Sequence, residues 1–280
     1  MIVIGRKAYV FGGEHKPRVP IGSTIHIYDL DTSTWSDCKG NGTMPSERNA
    51  QTAAAIGRKI YIFGGRQGIT MGEGSLNDLH EFDTDTNNWR EIKSNDVVPE
   101  ARSYHAMVAH GDKLYVFGGC GAKGRMNDLH SFDVITNKWT ALPTCDAITG
   151  RGGAGLVTVQ DSIYVVGGFS GKEMNDSAIP ARSVFGICSL DSQIFVVGGE
   201  VDPVDTHAEA GKFSNDCFVM DVNSNEGWKQ IFPSGSVPEP RGWFSVASVR
   251  DEKCKGVLIF GGNSSKNERL NDLYLMEIDN

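Results

Sequence analysis

Several features that mark common protein classes are missing from this 280-residue sequence. Its six cysteines include no C-x-x-C pair, which argues against a zinc ribbon or thiol redox motif and is typical of reduced thiols. The net charge of −8 argues against wholesale nucleic-acid binding but leaves a local cationic site open. No apolar run is long enough to predict a secretion signal or membrane span, so we expect a cytoplasmic location, with nuclear access open.

Familiar catalytic motifs are also missing. The sequence has no G-x-S-x-G elbow, no G-x-G-x-x-G or Walker loop, and no Cys/His pair at a motif spacing. The glycine-rich segment at Arg151 begins a predicted strand and does not precede a helix. No change of composition and no linker divides the chain, so we predict one domain over residues 1–280.

What the sequence does contain is a strand that recurs six times. Each copy is a short β-branched and aromatic run closed by Gly-Gly, as expected for a buried strand entering a turn with positive φ. The second glycines of the six copies are Gly13, Gly65, Gly119, Gly168, Gly199 and Gly262. Most of them are about 50 residues apart, a period typical of kelch β-propeller blades. We therefore predict an all-β, kelch-type β-propeller with six blade positions.

Two further markers follow the same period. An Asn-Asp pair opens the strand after the Gly-Gly turn, and a Trp follows a short polar turn. The pairs begin at Asn77, Asn127, Asn215 and Asn271, and the tryptophans are Trp35, Trp89, Trp139 and Trp228. A large indole ring suits the wedge between neighbouring twisted sheets, so the recurring Trp is predicted to pack between blades.

The pattern also predicts gaps in the propeller. Only about 30 residues separate Gly168 from Gly199, against the usual period near 50, so two outer strands of the fourth blade are expected to be missing. The sequence begins at or just before a second strand and ends on a third, which leaves the last blade without a Trp-bearing outer strand. We therefore expect an incomplete fourth blade, incomplete ring closure and an exposed sheet edge.

An arginine precedes each opening strand. The set comprises Arg48, Arg102, Arg151, Arg182 and Arg241. Opening strands are innermost in a propeller, so the guanidiniums are predicted to surround one mouth of the channel, where they suit a sulfate, phosphate or carboxylate. The alternative is that each arginine binds carbonyls of a neighbouring blade for structural reasons. Arg151 and Arg182 are the stronger candidates for a functional role.

The residues after Gly-Gly vary and lead onto loops, where function is commonly placed. They are Glu14, Arg66, Cys120, Phe169, Glu200 and Asn263. The loop from Glu200 to His207 contains three carboxylates and an imidazole, a ligand set that suits Fe(II) or Mn(II). The alternative is a polar loop with Pro203 at its centre.

A family resemblance rests on several segments. The segments GGEHKPRVP, AKGRMNDLHSFDV, GRGGAGL, EPRGW and GGNSSKNERLNDL resemble the plant specifier-protein group of kelch propellers: nitrile-specifier, epithiospecifier and thiocyanate-forming proteins and their less specialised relatives. The resemblance implies Fe(II)-dependent conversion of the aglucone that myrosinase releases from glucosinolates towards nitriles or the related epithionitriles and thiocyanates, with loss of sulfate. The implied site residues are Arg66, Arg102, Arg151 and Arg182 for catalysis and Glu200, Asp205 and His207 for the metal.

The sequence also departs from that group. The E-x-x-x-D-x-x-x-H iron motif is one residue shorter here, with Val204 where the Asp is expected and Asp205 one place later. The closing segment is closer to the less specialised relatives. The alternative function is a non-catalytic scaffold that binds protein partners through propeller loops, a choice that fold alone does not make. The sequence leaves the physiological substrate, the partner and the oligomeric state undefined.

Overall fold

The computed structural model describes residues 1–68, 73–94, 97–171, 179–202 and 211–278. Within these ranges the regular structure is entirely β-strand. The described chain contains no helix that is long and apolar enough to cross a membrane. Contacts divide the chain into two compact units, 1–152 and 153–280, each of which is described by itself.

The first unit contains three sheets, numbered in chain order, and a hairpin. The first sheet comprises β1 (Ile2–Ile4), β2 (Lys7–Phe11), β5 (Ile25–Asp29) and β6 (Thr34–Cys38), with the hairpin β3 (Glu14–Lys16) and β4 (Val19–Pro20) between β2 and β5. The second comprises β8 (Thr52–Ile56), β9 (Lys59–Phe63), β10 (Leu79–Asp83) and β11 (Asn88–Ile92), plus β7 (Asn41–Gly42), which runs parallel to β11. The third comprises β12 (Ala106–His110), β13 (Lys113–Gly121), β14 (Gly124–Asp133) and β15 (Lys138–Leu142).

The second unit contains the other three sheets. The fourth consists of β16 (Gly155–Val159) and β17 (Ser162–Val166). The fifth comprises β18 (Gly186–Leu190), β19 (Gln193–Asp202), β20 (Lys212–Asp221) and β21 (Lys229–Ile231). The sixth comprises β22 (Arg241–Gly242), β23 (Ser245–Arg250), β24 (Lys255–Ser264) and β25 (Arg269–Glu277).

The Gly-Gly pair ends the straight part of the second long strand in each sheet. In the third sheet Gly118 and Gly119 have φ of 61° and 99°, and the register of β13 against β14 shifts at this point. A Cβ on Gly119 would lie 2.8 Å from the carbonyl oxygen of Ser103, so a side chain is excluded by contact as well as by conformation. The turn therefore brings the following residue back against the segment that precedes the sheet's first strand.

Trp89 and Trp139 pack between sheets as the sequence predicts, but the prediction is wrong for Trp35, which has 43% of its surface exposed. Trp89 and Trp139 have only 1% and 7% of their surface exposed. The ring of Trp89 lies 4.8 Å from that of Phe82 in its own sheet and 5.5 Å from that of Phe11 in the preceding sheet. The indole thus fills the space between two twisted sheets and ties them together.

The repeat pattern is confirmed sheet by sheet. The described part of the fourth sheet has two strands, so the predicted incomplete fourth blade is confirmed. In the sixth sheet, β25 is not followed by a Trp-bearing outer strand among the described residues. The first sheet has four strands, because Ile2–Ile4 pairs with β2 as an innermost strand. Ring closure and the single domain over 1–280 stay predictions.

Candidate functional site

Four of the five repeated arginines form the same structural clamp. Each donates its Nε to the carbonyl two residues earlier, its Nη1 to the carbonyl of the first glycine of the Gly-Gly pair, and its guanidinium to the Asp of the Asn-Asp pair. The four pairs are Arg48–Asp78, Arg102–Asp128, Arg182–Asp216 and Arg241–Asp272. The clamp joins the start of each sheet to the turn that closes its second strand.

Arg102 and Arg182, two of the predicted catalytic residues, belong to this clamp. Both side chains are fully buried. Arg102 binds Asp128 through two nitrogens at 2.8 Å each, and Arg182 reaches Asp216 at 3.3 Å while its guanidinium lies 4.8 Å from the centre of the Phe218 ring. These contacts favour the structural alternative for both residues, and a catalytic role for them stays a prediction.

Arg151 occupies the corresponding position at the end of the first unit. Its side chain is buried, and burial lowers the pKa of its guanidinium. Nε donates to the Thr149 carbonyl at 3.0 Å and Nη2 to Thr149 Oγ1 at 3.1 Å. The matching Asn-Asp pair, at 175–176, lies outside the described residues.

Arg66 is held in a different way. It follows the Gly64-Gly65 turn and forms isolated bridges with Asn49 on one side and Ser75 on the other. Its Nε donates to Asn49 Oδ1 at 3.3 Å, and its Nη2 donates to the Tyr104 hydroxyl at 2.7 Å. The guanidinium carbon lies 4.9 Å from the centre of the Tyr104 ring, within the range of a cation–π contact.

The surroundings of Arg66 are rich in polar atoms that have no partner. Within the described chain, Asn49 Nδ2 and Ser75 Oγ, on the two residues that bridge to Arg66, are buried without a hydrogen bond. Buried polar atoms normally find partners, so such a group next to a guanidinium is chemically suited to an oxyanion. Burial raises the pKa of the Tyr104 phenol, although Arg66 opposes that rise. Tyr104 is therefore a neutral O–H donor at physiological pH.

Backbone conformation fixes Tyr104 at this place. Tyr104 has φ of 55° and Ala50, at the same position of the preceding sheet, has φ of 53°. The Tyr104 N–H donates to the Ala50 carbonyl at 3.0 Å. Left-handed conformations are costly for residues other than glycine, so the hydrogen bond between successive sheets is what holds them. The sequence predicts Arg66 as a site residue but misses Asn49 and Tyr104, whose only signal is their place just after a repeated arginine.

Glu200 is the predicted metal ligand that the structure describes. It follows Gly199 in the second unit, bridges to Ser183, and has 8% of its surface exposed. Burial raises the pKa of its carboxyl group, against the opposing hydrogen bonds from Ser183 Oγ, at 3.3 Å, and from the Gly211 N–H. A Cβ on Gly211 would lie 2.2 Å from Glu200 Oε1, so this carboxylate packs directly on a glycine backbone.

The donor chemistry of Glu200 fits a metal ligand, because a buried carboxylate with only neutral hydrogen-bond donors gains from a cation. Asp205 and His207, the other two predicted ligands, lie outside the described residues. No group of three or more His, Cys, Asp or Glu side chains suited to a metal occurs within the described ranges. The metal site as a whole therefore stays a prediction.

The repeat, the sheets and the clamp define a kelch-repeat protein. The chain belongs to the family described as the KLHDC2/KLHL20/DRC7 Kelch-repeats domain, whose model matches residues 1–179. The solved structure of YjhT superimposes with a TM-score of 0.75 at 17% identity, covering 100% of this chain and 94% of that one. This likeness confirms the predicted fold class, an all-β kelch-type β-propeller.

The chain is also similar to individual kelch-repeat proteins, over nearly its whole length or over part of it. The chain is 28% identical to N-(sulfonatooxy)prop-2-enimidothioate sulfolyase of Thlaspi arvense, over 99% of this chain and 91% of that protein. This similarity confirms the resemblance to the plant specifier group. Partial matches are acyl-CoA-binding domain-containing protein 4 of Arabidopsis thaliana, 36% identical over 53% of this chain, and human Kelch domain-containing protein 3, 31% identical over 43%. The matched segments span 22% and 33% of those two proteins.

Proposed function

We propose that this protein directs a thiohydroximate O-sulfate, the aglucone class released from glucosinolates, towards a nitrile. The observation that carries the proposal is the cluster of the buried Arg66 and Asn49 with the partly buried Tyr104, which offers a guanidinium, an amide and a phenol to an oxyanion. Similarity along 99% of the chain to a protein named as a sulfolyase of such a sulfated substrate supports the same assignment. At the family level the chain is specifier-like, and the reaction itself is the proposed step.

Arg66 is proposed to bind the sulfate and to stabilise it as it leaves. A guanidinium matches sulfate through parallel N–H donors, and it gains strength where burial excludes water. Arg66 is held on one side by Asn49 Oδ1 and on another by the Tyr104 hydroxyl, so its orientation is set before a ligand arrives. Tyr104 uses its oxygen to accept from Arg66, which leaves its own proton for a sulfate oxygen.

The bond changes balance without an added oxidant. In the aglucone R–C(S⁻)=N–OSO₃⁻ the N–O bond breaks and its electron pair leaves on sulfate. The C–S bond breaks and its pair becomes the third bond of the nitrile, so sulfur departs at the zero oxidation level. Positioned donors contribute most to such a step where negative charge develops, which here is the departing sulfate.

Fe(II) is the cofactor proposed for the thiolate end of this substrate. Glu200, with Asp205 and His207 from the sequence motif, would hold it, and bound Fe(II) supplies a Lewis acid for sulfur. Glu200 contributes a carboxylate whose position is fixed by Ser183 and by the backbone at Gly211.

The test is product formation with purified protein. The chain is loaded anaerobically with Fe(II), and myrosinase and allyl glucosinolate are added while nitrile and isothiocyanate are measured. We expect nitrile to increase with the unchanged protein and to fall at least tenfold with Arg66→Met. Arg66→Lys is expected to retain part of the activity, because it keeps the charge and loses the paired donors.

Arg58→Met is the matched control, since Arg58 lies in the same unit with 61% of its side chain exposed and pairs with Asp85 at the surface. It is expected to leave the ratio of nitrile to isothiocyanate unchanged. The proposal is overturned if the ratio stays at the myrosinase-only value at saturating Fe(II), or if Arg66→Met and Arg58→Met behave alike.

A further inference from the structure

Cys120 is a buried thiol that the proposed anion chemistry at Arg66 does not use. It follows the Gly118-Gly119 turn of the third sheet, as Arg66 follows the Gly64-Gly65 turn of the second, so the two residues occupy the same position of their sheets. Only 4% of the Cys120 surface is exposed. The thiol is therefore placed by the same kind of backbone turn that places Arg66, one sheet further along the chain.

Main-chain hydrogen bonds fix Cys120 against Ser103. The Ser103 N–H donates to the Cys120 carbonyl at 2.9 Å, and the Cys120 N–H donates to the Ser103 carbonyl at 2.7 Å. Residues that exchange both bonds lie directly opposite each other and project their side chains to the same face. Ser103 is fully buried, and its Oγ has no hydrogen-bond partner within the described chain. A buried hydroxyl without a partner therefore lies on the same face as the thiol.

The corresponding pairs of two other sheets show what this arrangement does. Asn49 lies opposite Arg66, and Arg66 Nε donates to Asn49 Oδ1 at 3.3 Å. Ser183 lies opposite Glu200, and Ser183 Oγ donates to Glu200 Oε2 at 3.3 Å. In both pairs the smaller polar side chain holds a group that is proposed to bind a ligand. Ser103 makes no such bond to the thiol opposite it, so its hydroxyl is available to a ligand.

A glycine and Tyr104 define the surroundings of the sulfur. A Cβ on Gly152 would lie 2.8 Å from Cys120 Sγ and 3.5 Å from Tyr104 Cβ, so Sγ occupies space that a side chain at residue 152 would need. The Tyr104 hydroxyl, at the other end of that side chain, accepts from Arg66 Nη2 at 2.7 Å. Tyr104 thus has the guanidinium at its hydroxyl and the thiol near its Cβ.

The charge of Arg66 acts on this thiol. Burial raises the pKa of Cys120, and the guanidiniums of Arg125 and Arg66 oppose that rise. Cys120 is consequently a neutral thiol at physiological pH, close to a cation that suits an anionic substrate. Such a thiol keeps its proton until a base arrives, and the thiolate of the proposed aglucone is a suitable base.

We propose that Cys120 is a catalytic residue that accepts the sulfur atom of the aglucone and becomes a cysteine persulfide. This inference rests on the proposed function, in which sulfur departs at the zero oxidation level and requires an acceptor. Only one carbon and one nitrogen separate the sulfur of the aglucone from its O-sulfate group. A substrate whose sulfate is bound at Arg66 therefore presents its sulfur to a group on the neighbouring sheet, and Cys120 is the thiol there.

The atoms and electrons of this step balance without an added oxidant, because the N–O bond of the substrate is reduced as its sulfur is oxidised. The Cys120 proton moves to the thiolate sulfur of the substrate, and Sγ then attacks that sulfur. The S–S bond forms from an Sγ lone pair, the C–S pair becomes the third bond of the nitrile, and the N–O pair leaves on sulfate. The products are the nitrile, sulfate and Cys–S–SH, and the Ser103 hydroxyl is a hydrogen-bond donor for the new terminal sulfur. A low-molecular-weight thiol RSH then restores Cys120 by removing the sulfur as RS–SH.

The test is a search for the persulfide on the unchanged protein. The Fe(II)-loaded chain is mixed with myrosinase and allyl glucosinolate without added thiol, quenched with denaturant and an alkylating agent, and digested for mass spectrometry. We expect the peptide that contains Cys120 to gain the mass of one sulfur atom in proportion to the nitrile formed, while the peptide with the exposed Cys145 does not. Nitrile formation is expected to stop when every chain carries one sulfur and to continue when glutathione is added.

Two variants complete the test, and the mapping on the unchanged protein does not depend on whether either of them folds. Cys120→Ser is expected to lower nitrile formation without added thiol at least tenfold. Cys145→Ser, at an exposed thiol of the same unit, is the matched control and should behave as the unchanged protein does. If nitrile forms while Cys120 carries no more added sulfur than Cys145, this inference is overturned and the proposed function stands. If no nitrile forms at saturating Fe(II), the proposed function fails and this inference fails with it.

Discussion

Arg102 and Asp128 face each other across the third sheet in a two-pronged ion pair, with Nη1–Oδ1 and Nη2–Oδ2 distances of 2.8 Å each. The same carboxylate lies 2.8 Å from His130 Nε2, and the same guanidinium donates to the Gly118 carbonyl at 3.0 Å. The Arg102–Asp128 pair therefore connects the start of the sheet, its Gly-Gly turn and its third strand. This geometry gives a structural reason for an arginine to recur at this register.

The first prediction concerns the stability that this pair provides. Arg102→Met leaves Asp128 without its guanidinium and two backbone acceptors, the carbonyls of Glu100 and Gly118, without their donor. Breaking a buried pair by removing one partner costs about 3–5 kcal/mol of unfolding free energy. Equilibrium denaturation by urea measures this loss.

The control for that experiment is Lys123→Met, which removes the Lys123–Glu100 pair at 3.0 Å, where the side chains are 85% and 56% exposed. Exposed pairs contribute little, so we expect a change within about 0.5 kcal/mol. Equal losses in the two variants would contradict the clamp as a stabilising element.

The second prediction concerns acid unfolding. Burial alone would raise the pKa of Asp78, but hydrogen bonds from Arg48 and His80 outweigh it and hold the pKa well below its ordinary value. A lowered carboxyl pKa stabilises the folded state above the unfolded pKa, about 3.9 for Asp, and the stability is lost as pH falls through the folded value. Asp78→Asn is therefore expected to be less stable at pH 7 and to lose less stability than the unchanged protein below about pH 4.

Thermal unfolding between pH 2.5 and 7, in steps on the order of half a pH unit, measures how the stability difference between Asp78→Asn and the unchanged protein depends on pH. Asp146→Asn, at an exposed carboxylate of the same unit, should run parallel to the unchanged protein. An Asp78→Asn curve that is parallel to the unchanged one at every pH would refute the assignment.

Much of the fold could be predicted from the sequence because its repeat is enforced locally. Gly118 and Gly119 must have positive φ, and Trp139 must fill the wedge between two sheets. The Gly-Gly pair and the Trp therefore recur with the sheets. The shortened fourth sheet was predictable for the same reason, since about 20 residues of the usual period near 50 are missing between Gly168 and Gly199. The cover of β11 by Asn41–Gly42 was not predictable, because it depends on a two-residue parallel contact with no sequence pattern.

The candidate site could be predicted only in part. Five arginines share one register in the sequence, and nothing there distinguishes a clamp from an anion site. The distinction depends on the distant Asp that each side chain reaches, for example Asp128 for Arg102. Tyr104 was missed because its left-handed backbone, and hence the direction of its ring towards Arg66, has no signature in its residue type.

The third prediction concerns the glycine that supports Glu200. A Cβ on Gly211 would lie 2.2 Å from Glu200 Oε1 and 2.7 Å from the Asp202 carbonyl oxygen, so Gly211→Ala must displace the carboxylate. We expect Fe(II) or Mn(II) affinity to fall at least tenfold, as with Glu200→Gln, and the unfolding temperature of Gly211→Ala to fall as well, because the backbone at Asp202 must also move. Titration calorimetry with Mn(II) under argon is the measurement.

Gly22→Ala is the control, because a Cβ there meets only Glu47 Oε1 at an ordinary 3.7 Å. It should leave metal affinity unchanged. Unaltered affinity in both Gly211→Ala and Glu200→Gln would exclude Glu200 from the metal site and leave the sulfate assignment of Arg66 to be judged on its own experiment.

The last prediction concerns backbone strain in the second unit. Val184 occupies the same register as Tyr104, with φ of 49°, a conformation that is especially unfavourable for a β-branched residue. Its N–H donates to the Gly153 carbonyl and its carbonyl accepts from the Trp243 N–H, both at 2.9 Å, so the backbone is held from both sides. Asn tolerates this conformation, and Val184→Asn is expected to raise the unfolding free energy by about 1 kcal/mol.

Val165→Asn, at a half-buried position of strand β17, should instead lower the unfolding free energy, because β-branched residues are favoured there. Urea denaturation measures the unfolding free energy of both variants. If Val184→Asn loses as much stability as Val165→Asn, side-chain packing and not backbone conformation dominates at Val184.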